Sequence, residues 1–279
     1  MLMDIRMICM DLDGTALQRD HSSFSPRLLE ALAEVHRRGI RIVPVTGRQG
    51  GLLPPVLQQG QPWLEYAILC NGGQIRNFRT GELLYRLDID PKALEQLLEL
   101  TDRYNLPIEF SLDSILHLTR NSYDLQLPWP NLNFHRDTIL ARYGRILPSL
   151  APLCGPGVEK INLLCVPPEL HDAVEEGLAS IAVSGVWASR SSMEITHPEA
   201  TKGNGLQKLC SLLDIPLSQV MAIGDSGNDV TMLRAAGFGV AMGNAPDFVR
   251  AEADAVTERY DSDGAAIAIE RYVLEETAE

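Results

Sequence analysis

Several features that mark special classes of protein are missing from this sequence. Its five cysteines are odd in number, widely spaced and without a CxxC pair, so the sequence indicates neither a disulfide framework nor a thiolate zinc site. Its six histidines show no HExxH or similar ligand spacing. We therefore expect these side chains to serve in packing and at the surface.

Long apolar runs and an excess of positive charge are missing as well. No stretch approaches the roughly 20 apolar residues that span a bilayer, and the first residues show no signal-peptide pattern. The formal net charge is −13, and nucleic-acid binding depends on Lys and Arg that neutralise phosphates. We therefore expect a cytoplasmic protein without a membrane or nucleic-acid partner, and the sequence does not distinguish a monomer from a homodimer.

The composition is that of a folded globular protein of one large or two ordinary domains. The chain has 279 residues, of which 45% are hydrophobic and 22% charged. Apolar runs at residues 5–10 and 40–45 predict two buried parallel strands, and Ser25 and Pro26 predict the start of the helix between them. Pro44 removes a ladder donor, so we expect the second strand to fray or bulge just before Thr46.

The βαβ pattern is interrupted in the middle of the chain and then resumes. Residues 66–70 predict a third strand and residues 75–86 a hairpin. Residues 90–194 then mix helix signals at 91–104 and 168–181 with strand signals at 108–119, 160–166 and 183–195, as an α+β insert does. From residue 203 helices and strands alternate again, up to a helix that begins at residue 264. Only residues 275–279 are expected to fray.

Acidic residues follow two of the apolar runs. Asp11 and Asp13 come directly after the first strand, and Gly14 permits the turn that would let both side chains share a site. Such strand ends project into the crevice where open α/β sheets bind ligands. One carboxylate can attack phosphorus as a nucleophile, and a second can exchange protons with the leaving group and with water.

A second acidic segment and one lysine complete the predicted site. Asp225 and Asp229 follow a strand at residues 220–223, and Mg²⁺ prefers carboxylates together with phosphate oxygens and waters. We choose Asp225 as the remote metal ligand, with Asp229 as a ligand or a supporting residue. Lys202 precedes a helix and could stabilise a transferring phosphoryl group. Each segment alone also has an ordinary reading, as a turn, a helix cap or a solvated lysine, and the ordered set carries the interpretation.

The ordered set strongly resembles the haloacid dehalogenase-like phosphatases, and within them the Cof-type subgroup. The matching motifs are residues 11–15 (DLDGT), 46–48 (TGR), 202–203 (KG) and 224–233 (GDSGNDVTML). Residues 71–72, 240–245 and 263–264 also look like that subgroup, and the resemblance covers the whole chain. Ala16 and Gly205 depart from the usual pattern without removing a chemical group.

The resemblance implies a Rossmann-like, doubly wound parallel-sheet core with an inserted α+β cap. The core would comprise residues 1–82 and 196–279, and the cap, which would close over the site and select the substrate, residues 83–195. By the resemblance, Asp11 is the nucleophile and Asp13 the general acid and base. Five cap residues are candidates for selecting the leaving group: His117, Arg120, Asn121, Tyr123 and Trp129.

The resemblance also implies how the metal and the phosphate are held. Mg²⁺ would be bound by Asp11, the main-chain carbonyl of Asp13, and Asp225, with Asp229 at or beside the ion. Phosphate oxygens would contact Thr46, Gly47, Lys202 and Asn228, whereas Arg48 could be structural or catalytic.

We therefore expect a Mg²⁺-dependent phosphatase of small phosphorylated metabolites, such as sugar phosphates, pyridoxal phosphate or FMN-like monoesters, acting through an aspartyl-phosphate on Asp11. Two alternatives remain. The acyl-phosphate could pass to a sugar, as in a phosphotransferase or phosphomutase. The protein could instead be a non-catalytic phospho-sensor, since receiver domains also cluster acids and a lysine at a parallel-sheet edge.

Overall fold

The computed structural model describes residues 4–275, so the predicted frayed end lies outside these residues apart from Glu275. The strands within them are, in chain order, β1 (Met7–Met10), β2 (Arg41–Pro44), β3 (Tyr66–Leu69), β4 (Gln74–Asn77), β5 (Leu83–Arg86), β6 (Ile108–Leu112), β7 (Ile115–Thr119), β8 (Gly144–Leu147), β9 (Val158–Leu163), β10 (Ser184–Ser189), β11 (Ser192–Thr196), β12 (Val220–Gly224), β13 (Phe238–Ala241) and β14 (Ala255–Val256). The α-helices are α1 (Pro26–Arg37), α2 (Pro55–Gln58), α3 (Pro91–Tyr104), α4 (Arg120–Gln126), α5 (Ala141–Tyr143), α6 (His171–Leu178), α7 (Lys202–Leu213), α8 (Val230–Ala235), α9 (Asp247–Arg250) and α10 (Gly264–Ile269). None of the helices in the described part of the chain combines the length and the apolar character needed to cross a membrane.

Contacts divide the chain into two compact units. The first comprises residues 1–48, 53–85 and 201–279, and the second comprises residues 49–52 and 86–200. The short segment 49–52 is thus grouped with the inserted residues and separated from the strand that precedes it. The substrate-selecting role assigned to the inserted residues from the sequence stays a prediction.

The first unit is built on a five-stranded parallel sheet in the order β14-β13-β12-β1-β2. Strand β1 lies between β12 and β2, and Cys9 is opposite both Ala222 and Val43. All four residues of β1 are buried, as expected of a strand covered on both faces. The prediction of an α/β fold with a parallel sheet is confirmed.

Helix α1 shows how the sequence sets the ends of an element. The Ser25 side chain accepts a hydrogen bond from the Leu28 N–H at 3.1 Å, and Pro26 occupies the first helical turn, where its missing N–H leaves no helical hydrogen bond unmade. Leu28, Leu32 and Val35 lie on its buried face. The predicted cap and apolar face of this helix are confirmed.

The expected disruption at Pro44 does not occur. The Val45 N–H donates to the Met10 carbonyl oxygen and the Thr46 N–H to the Ile68 carbonyl oxygen, both at 2.9 Å, so the backbone stays extended up to Thr46. Because successive N–H groups point to opposite sides of a strand, the nitrogen of Pro44 faces β3. On that side the strand makes isolated bridges instead of a continuous ladder, so the missing donor costs little.

The second unit contains a six-stranded mixed sheet in the order β10-β11-β9-β6-β7-β8. Its core joins one face of this sheet to helices α3 and α6, and includes Leu97, Phe110, Ile161 and Val174. The sequence predicted α3 with its observed ends. Helix α6 spans His171–Leu178 and follows a short 3₁₀ turn at Pro168–Leu170, where the sequence predicted one helix over residues 168–181.

Two predicted strands of the insert are in fact hairpins. Residues 108–119 form β6 and β7, because Asp113 and Ser114 both have positive φ values, +47° and +66°, and reverse the chain. Residues 183–195 likewise contain β10 and β11. Helix α4, helix α5 and strand β8 carried no sequence prediction, since each is too short for a hydrophobic period to register.

Candidate active site

Asp11 and Asp13 lie in the turn that follows β1. The backbone of Asp11 is still extended, and residues 12–16 then form a wide turn in which Asp13 and Gly14 are not helical and which the Leu17 N–H closes by donating to the Leu12 carbonyl oxygen at 2.8 Å. Gly14 within this turn has a φ of +83°, a conformation that favours glycine, and a Cβ there would lie 2.5 Å from the Asp225 Oδ2. The turn therefore brings the first acidic pair directly against the segment that carries the second.

Lys202 connects the two acidic segments. It begins α7, whose first turn is capped by Thr201, and its Nζ donates hydrogen bonds to Asp11 Oδ1 and Asp229 Oδ1, both at 2.6 Å. The side chains of Lys202, Asp11 and Asp229 are 1%, 7% and 0% exposed. Burial alone would lower the pKa of Lys202, but the charges of Asp11 and Asp229 outweigh it and raise that pKa, so the amine is an ammonium ion.

Asp229 organises the loop after β12. Its Oδ2 accepts hydrogen bonds from the N–H groups of Asp225 and Ser226, both at 2.9 Å, while its Oδ1 accepts from Lys202. The side chain thus fixes the backbone on which Asp225 is mounted and the ammonium group that faces Asp11. These contacts agree with a role for Asp229 in positioning its neighbours. Its role as a direct metal ligand stays a prediction.

Asp225 is oriented by two residues that sequence reasoning did not assign to the site. Thr15 Oγ1 donates to Asp225 Oδ1, and Asn244 Nδ2 donates to Asp225 Oδ2, both at 3.0 Å. The Asn244 amide also donates to the Gly14 carbonyl oxygen at 3.0 Å. A usable signal was present for Asn244, since it follows β13, the strand adjacent to β12, at the same edge of the parallel sheet.

Three carboxylates form a group suited to a cation. One ligand oxygen from each of Asp11, Asp225 and Asp229 lies within 4.8 Å of the others. Burial raises the pKa of Asp11, the Lys202 ammonium opposes that rise and Asp229 adds to it, while burial and then Asp229 raise the pKa of Asp225 to about 6. With all three ionised, one ammonium faces three carboxylates. The residues therefore fit a hard divalent cation, which would neutralise the remaining negative charge.

The side chain of Asp13 points to different partners. Arg48 donates from Nε to Asp13 Oδ2 at 2.8 Å and from Nη2 to Oδ1 at 2.6 Å, and His21 Nδ1 lies 2.9 Å from the same Oδ1. Burial alone would raise the pKa of Asp13, but Arg48 and His21 outweigh it and hold that pKa below its usual value. The structure thus joins Arg48 to the predicted acid/base residue. His21 gave no sequence signal, because a histidine in a surface turn has no distinguishing spacing.

Three of the predicted phosphate-binding residues follow strands of the parallel sheet, Thr46 and Gly47 after β2 and Asn228 after β12. Thr46 follows β2 and is buried, and its Oγ1 accepts from the Arg48 N–H at 3.1 Å, with Gly47 between the two. Asn228 precedes Asp229 and donates from Nδ2 to Asn71 Oδ1 at 3.0 Å. Their contacts with phosphate stay predictions.

The chain is similar to known proteins over nearly its whole length. A profile described as haloacid dehalogenase-like hydrolase matches residues 8–269. Phosphatase YwpJ of Bacillus subtilis is 28% identical, with 94% of this chain and 98% of that protein covered. Pyridoxal phosphate phosphatase YbhA of Escherichia coli is 28% identical, with 91% and 93% covered. The crystal structure of a haloacid dehalogenase-like hydrolase from Bacteroides thetaiotaomicron superimposes with a TM-score of 0.81 at 25% identity, covering 96% of this chain and 99% of the other.

Proposed function

This chain belongs to the haloacid dehalogenase-like hydrolase family, as a phosphatase, and we propose that it hydrolyses small phosphorylated metabolites through a covalent phosphate on Asp11. The observation that carries this proposal is the convergence of Asp11, Lys202, Asp225 and Asp229 from segments about 200 residues apart into one buried cluster. A purely structural ion pair would need one carboxylate for the lysine, whereas this cluster holds three.

In the first displacement, an oxygen of Asp11 attacks phosphorus. Its Oδ1 is bound to the Lys202 ammonium, so we assign the attack to Oδ2. The P–O bond to the leaving group breaks as the bond to Asp11 forms, and the leaving oxygen takes a proton from the Asp13 carboxyl group. The products are an acyl-phosphate on Asp11 and the free alcohol.

In the second displacement, water attacks the acyl-phosphate. The Asp13 carboxylate takes a proton from this water, the bond between phosphorus and the Asp11 oxygen breaks, and orthophosphate leaves. Asp11 is then a carboxylate again and Asp13 a carboxylic acid, the form that the next first displacement needs. Because Arg48 and His21 favour the Asp13 carboxylate in the resting site, a resting Asp13 must take up a proton before its first turnover. Two aspartates in one turn therefore suffice for both proton transfers.

Positive charge is needed because the nucleophile and the substrate are both anionic. The Lys202 ammonium stabilises charge on the phosphoryl oxygens from a buried position, where electrostatic interactions are stronger than in water. Mg²⁺ held by Asp11, Asp225 and the Asp13 carbonyl would supply Lewis-acid stabilisation of the same oxygens. Thr46, Gly47 and Asn228 would bind the phosphate through hydrogen bonds.

The proposed substrate class is based on the substrates named for two relatives. One relative is a phosphatase of pyridoxal phosphate, and another, YcsE of Bacillus subtilis, of 5-amino-6-(5-phospho-D-ribitylamino)uracil. Both are phosphomonoesters of small molecules, and we propose that this chain acts on the same class.

The covalent intermediate provides the test. The wild-type protein is mixed with radiolabelled p-nitrophenyl phosphate and Mg²⁺, quenched in acid within milliseconds, and treated with borohydride, which reduces an aspartyl-phosphate to homoserine. We expect protein-bound label that turns over within the reaction time, and homoserine at position 11 by peptide mass spectrometry. The Asp11→Asn variant should carry no label, whereas Asp172→Asn, at an exposed position, should behave as wild type.

Two outcomes would contradict the proposal. Turnover that needs an added sugar acceptor and yields a sugar phosphate in place of orthophosphate would indicate a phosphotransferase or mutase. A label that persists for hours on the folded protein would indicate a phospho-sensor.

A further inference from the structure

The proposed mechanism does not use His21, although this residue contacts Asp13. Its Nδ1 lies 2.9 Å from Asp13 Oδ1, the same oxygen that accepts from Arg48 Nη2. Both a carboxylate and a carboxylic acid protonated on Oδ2 offer Oδ1 as an acceptor, so an Nδ1–H can donate in this contact in either protonation state of Asp13. Asp13 is therefore held by two side chains from separate segments of the first unit.

His21 has a left-handed backbone conformation. Its φ is +52°, in a region that few residues other than glycine adopt and in which asparagine, aspartate and histidine are enriched. The loop is closed by the Asp20 carboxylate, which accepts from the N–H groups of Ser22 and Ser23 at 3.0 Å. Arg48 Nη2 lies 3.3 Å from the His21 carbonyl oxygen. Asp13, Arg48 and His21 thus form a closed triangle of contacts.

Asp13 needs such support more than Asp11 does. The Asp13 side chain is 40% exposed, so packing does not define its direction, whereas the Asp11 side chain is 7% exposed and is bound by Lys202. A general acid must lie within hydrogen-bond reach of the leaving oxygen, and a small displacement is costly. Arg48 binds both oxygens of Asp13 from a side chain that is 24% exposed, and His21 adds a contact to Oδ1 from a second segment. His21 is short and sits on a loop closed by its own hydrogen bonds.

We propose that His21 is a positioning residue for Asp13, and that the left-handed backbone at residue 21 aims its Nδ1 at Asp13 Oδ1. This inference rests on the proposed function, because it requires Asp13 to exchange protons with the leaving group. It assigns no proton transfer to His21 itself. Its effect is to hold the Asp13 carboxyl group where it can protonate the leaving oxygen.

Two variants separate the hydrogen bond from the backbone conformation. Asparagine tolerates a left-handed φ and places its amide nitrogen close to the position of Nδ1, so His21→Asn keeps both features. Glycine tolerates the same φ but has no donor, so His21→Gly removes the hydrogen bond alone. Asp214→Gly is a matched control, since Asp214 is exposed and has a φ of +52° in the same unit.

The readout is kcat/KM for two aryl phosphates of nearly equal shape. Phenyl phosphate has a poor leaving group that needs a proton, whereas p-nitrophenyl phosphate leaves readily without one. We expect His21→Gly to lower kcat/KM for phenyl phosphate about 10-fold more than for p-nitrophenyl phosphate, a part of what general acid catalysis contributes. His21→Asn should recover most of this loss, and Asp214→Gly should show no such selectivity.

Asp13→Asn, assayed in the same way, separates this inference from the proposed function. If Asp13→Asn does not affect phenyl phosphate more than p-nitrophenyl phosphate, the acid role of Asp13 fails, and the role of His21 fails with it. If Asp13→Asn shows that selectivity but His21→Gly and His21→Asn behave alike, the inference on His21 is wrong and the function stands. Equal losses on both substrates with a lowered melting temperature in His21→Gly would also overturn it, since they indicate a structural role.

Discussion

The chain buries a charged cluster in each of its two compact units, and the two clusters differ in their charge balance. In the first unit, Lys202 faces three carboxylates. In the second, the fully buried Glu109 accepts from Gln126 Nε2 at 3.0 Å, from Asn162 Nδ2 at 3.3 Å and pairs with His135 Nε2 at 2.9 Å. One carboxylate there is matched by three neighbouring side chains.

The difference teaches what distinguishes a reactive site from a structural polar core. Buried polar groups are stable when each finds partners, and Glu109 meets that condition with side chains of its own unit. When its three carboxyl groups are ionised, the acidic cluster around Asp11 carries more negative charge than Lys202 balances, and a divalent cation would offset the excess. Burial of a charged group alone therefore does not identify the site, whereas the convergence of three carboxyl groups does.

Removing the nucleophile should have the largest effect on activity. We expect Asp11→Asn to lower kcat by at least about 10⁴-fold, because an amide cannot form the acyl-phosphate and covalent catalysis is lost. The variant should remain folded, since asparagine keeps an oxygen that accepts from Lys202. Phosphate release and circular dichroism measure the two effects, and substantial activity in pure Asp11→Asn would exclude the assigned role.

Removing the ammonium should affect both stability and activity. We expect Lys202→Met to lower the free energy of unfolding by about 3–5 kcal/mol, because it leaves buried carboxylates without their partner. Urea denaturation measures this, with Lys92→Met as a control at an exposed position of α3. The control should change stability by less than about 0.5 kcal/mol, as surface substitutions usually do. Equal changes in the free energy of unfolding for the two variants would show that Lys202 is not essential to the charge balance of the acidic cluster.

Adding Mg²⁺ should distinguish the acidic cluster around Asp11 from the Glu109 cluster. Mg²⁺ at 100 times its dissociation constant should stabilise the folded protein by about 2.7 kcal/mol through mass action. Asp225→Asn should lose most of this shift, whereas Glu109→Gln should keep it. A chelator should abolish phosphatase activity and Mg²⁺ should restore it. If neither Mg²⁺ nor the chelator changes stability or activity, the assignment of a cation to the acidic cluster is contradicted.

The smallest effect is expected in the second unit. Glu109→Gln keeps one acceptor oxygen but turns an amide nitrogen toward the Asn162 donor, so we expect a loss of roughly 1–2 kcal/mol in the free energy of unfolding. Thermal or urea denaturation would show it. A loss as large as that of Lys202→Met would mean that the Glu109 cluster is as dependent on its charge as the site in the first unit.

The chemistry of the site was more predictable than its supporting contacts. Asp11, Lys202, Asp225 and Asp229 lie at strand or helix ends whose apolar runs and ordered motifs are visible in the sequence, and the fold brings them together. Thr15, His21 and Asn244 were not predicted, because their roles depend on the path of turns and on a neighbouring strand. Such contacts arise only in three dimensions, where no sequence period marks them.

In the fold, the long elements were likewise predictable from the sequence, whereas the tight turns were not. Long elements such as α1 and α3 carry a full apolar face and clear end signals, so their limits were predicted closely. The hairpin turns at residues 113–114 and between β10 and β11 were missed, since neither contains the glycine that usually marks a tight reversal. Pro44 was misjudged because the effect of a proline depends on which side of the strand its nitrogen faces.

The pairing of β1 with β12 has a consequence for how the protein is made. Strand β1 ends at Met10 and its partner β12 ends at Gly224, so on the ribosome one edge of β1 stays open until β12 has been synthesised. Contacts of such long sequence separation form slowly and leave apolar strands exposed meanwhile. The nascent chain should therefore gain its enzymatic competence only after the residues up to Asp229 have emerged.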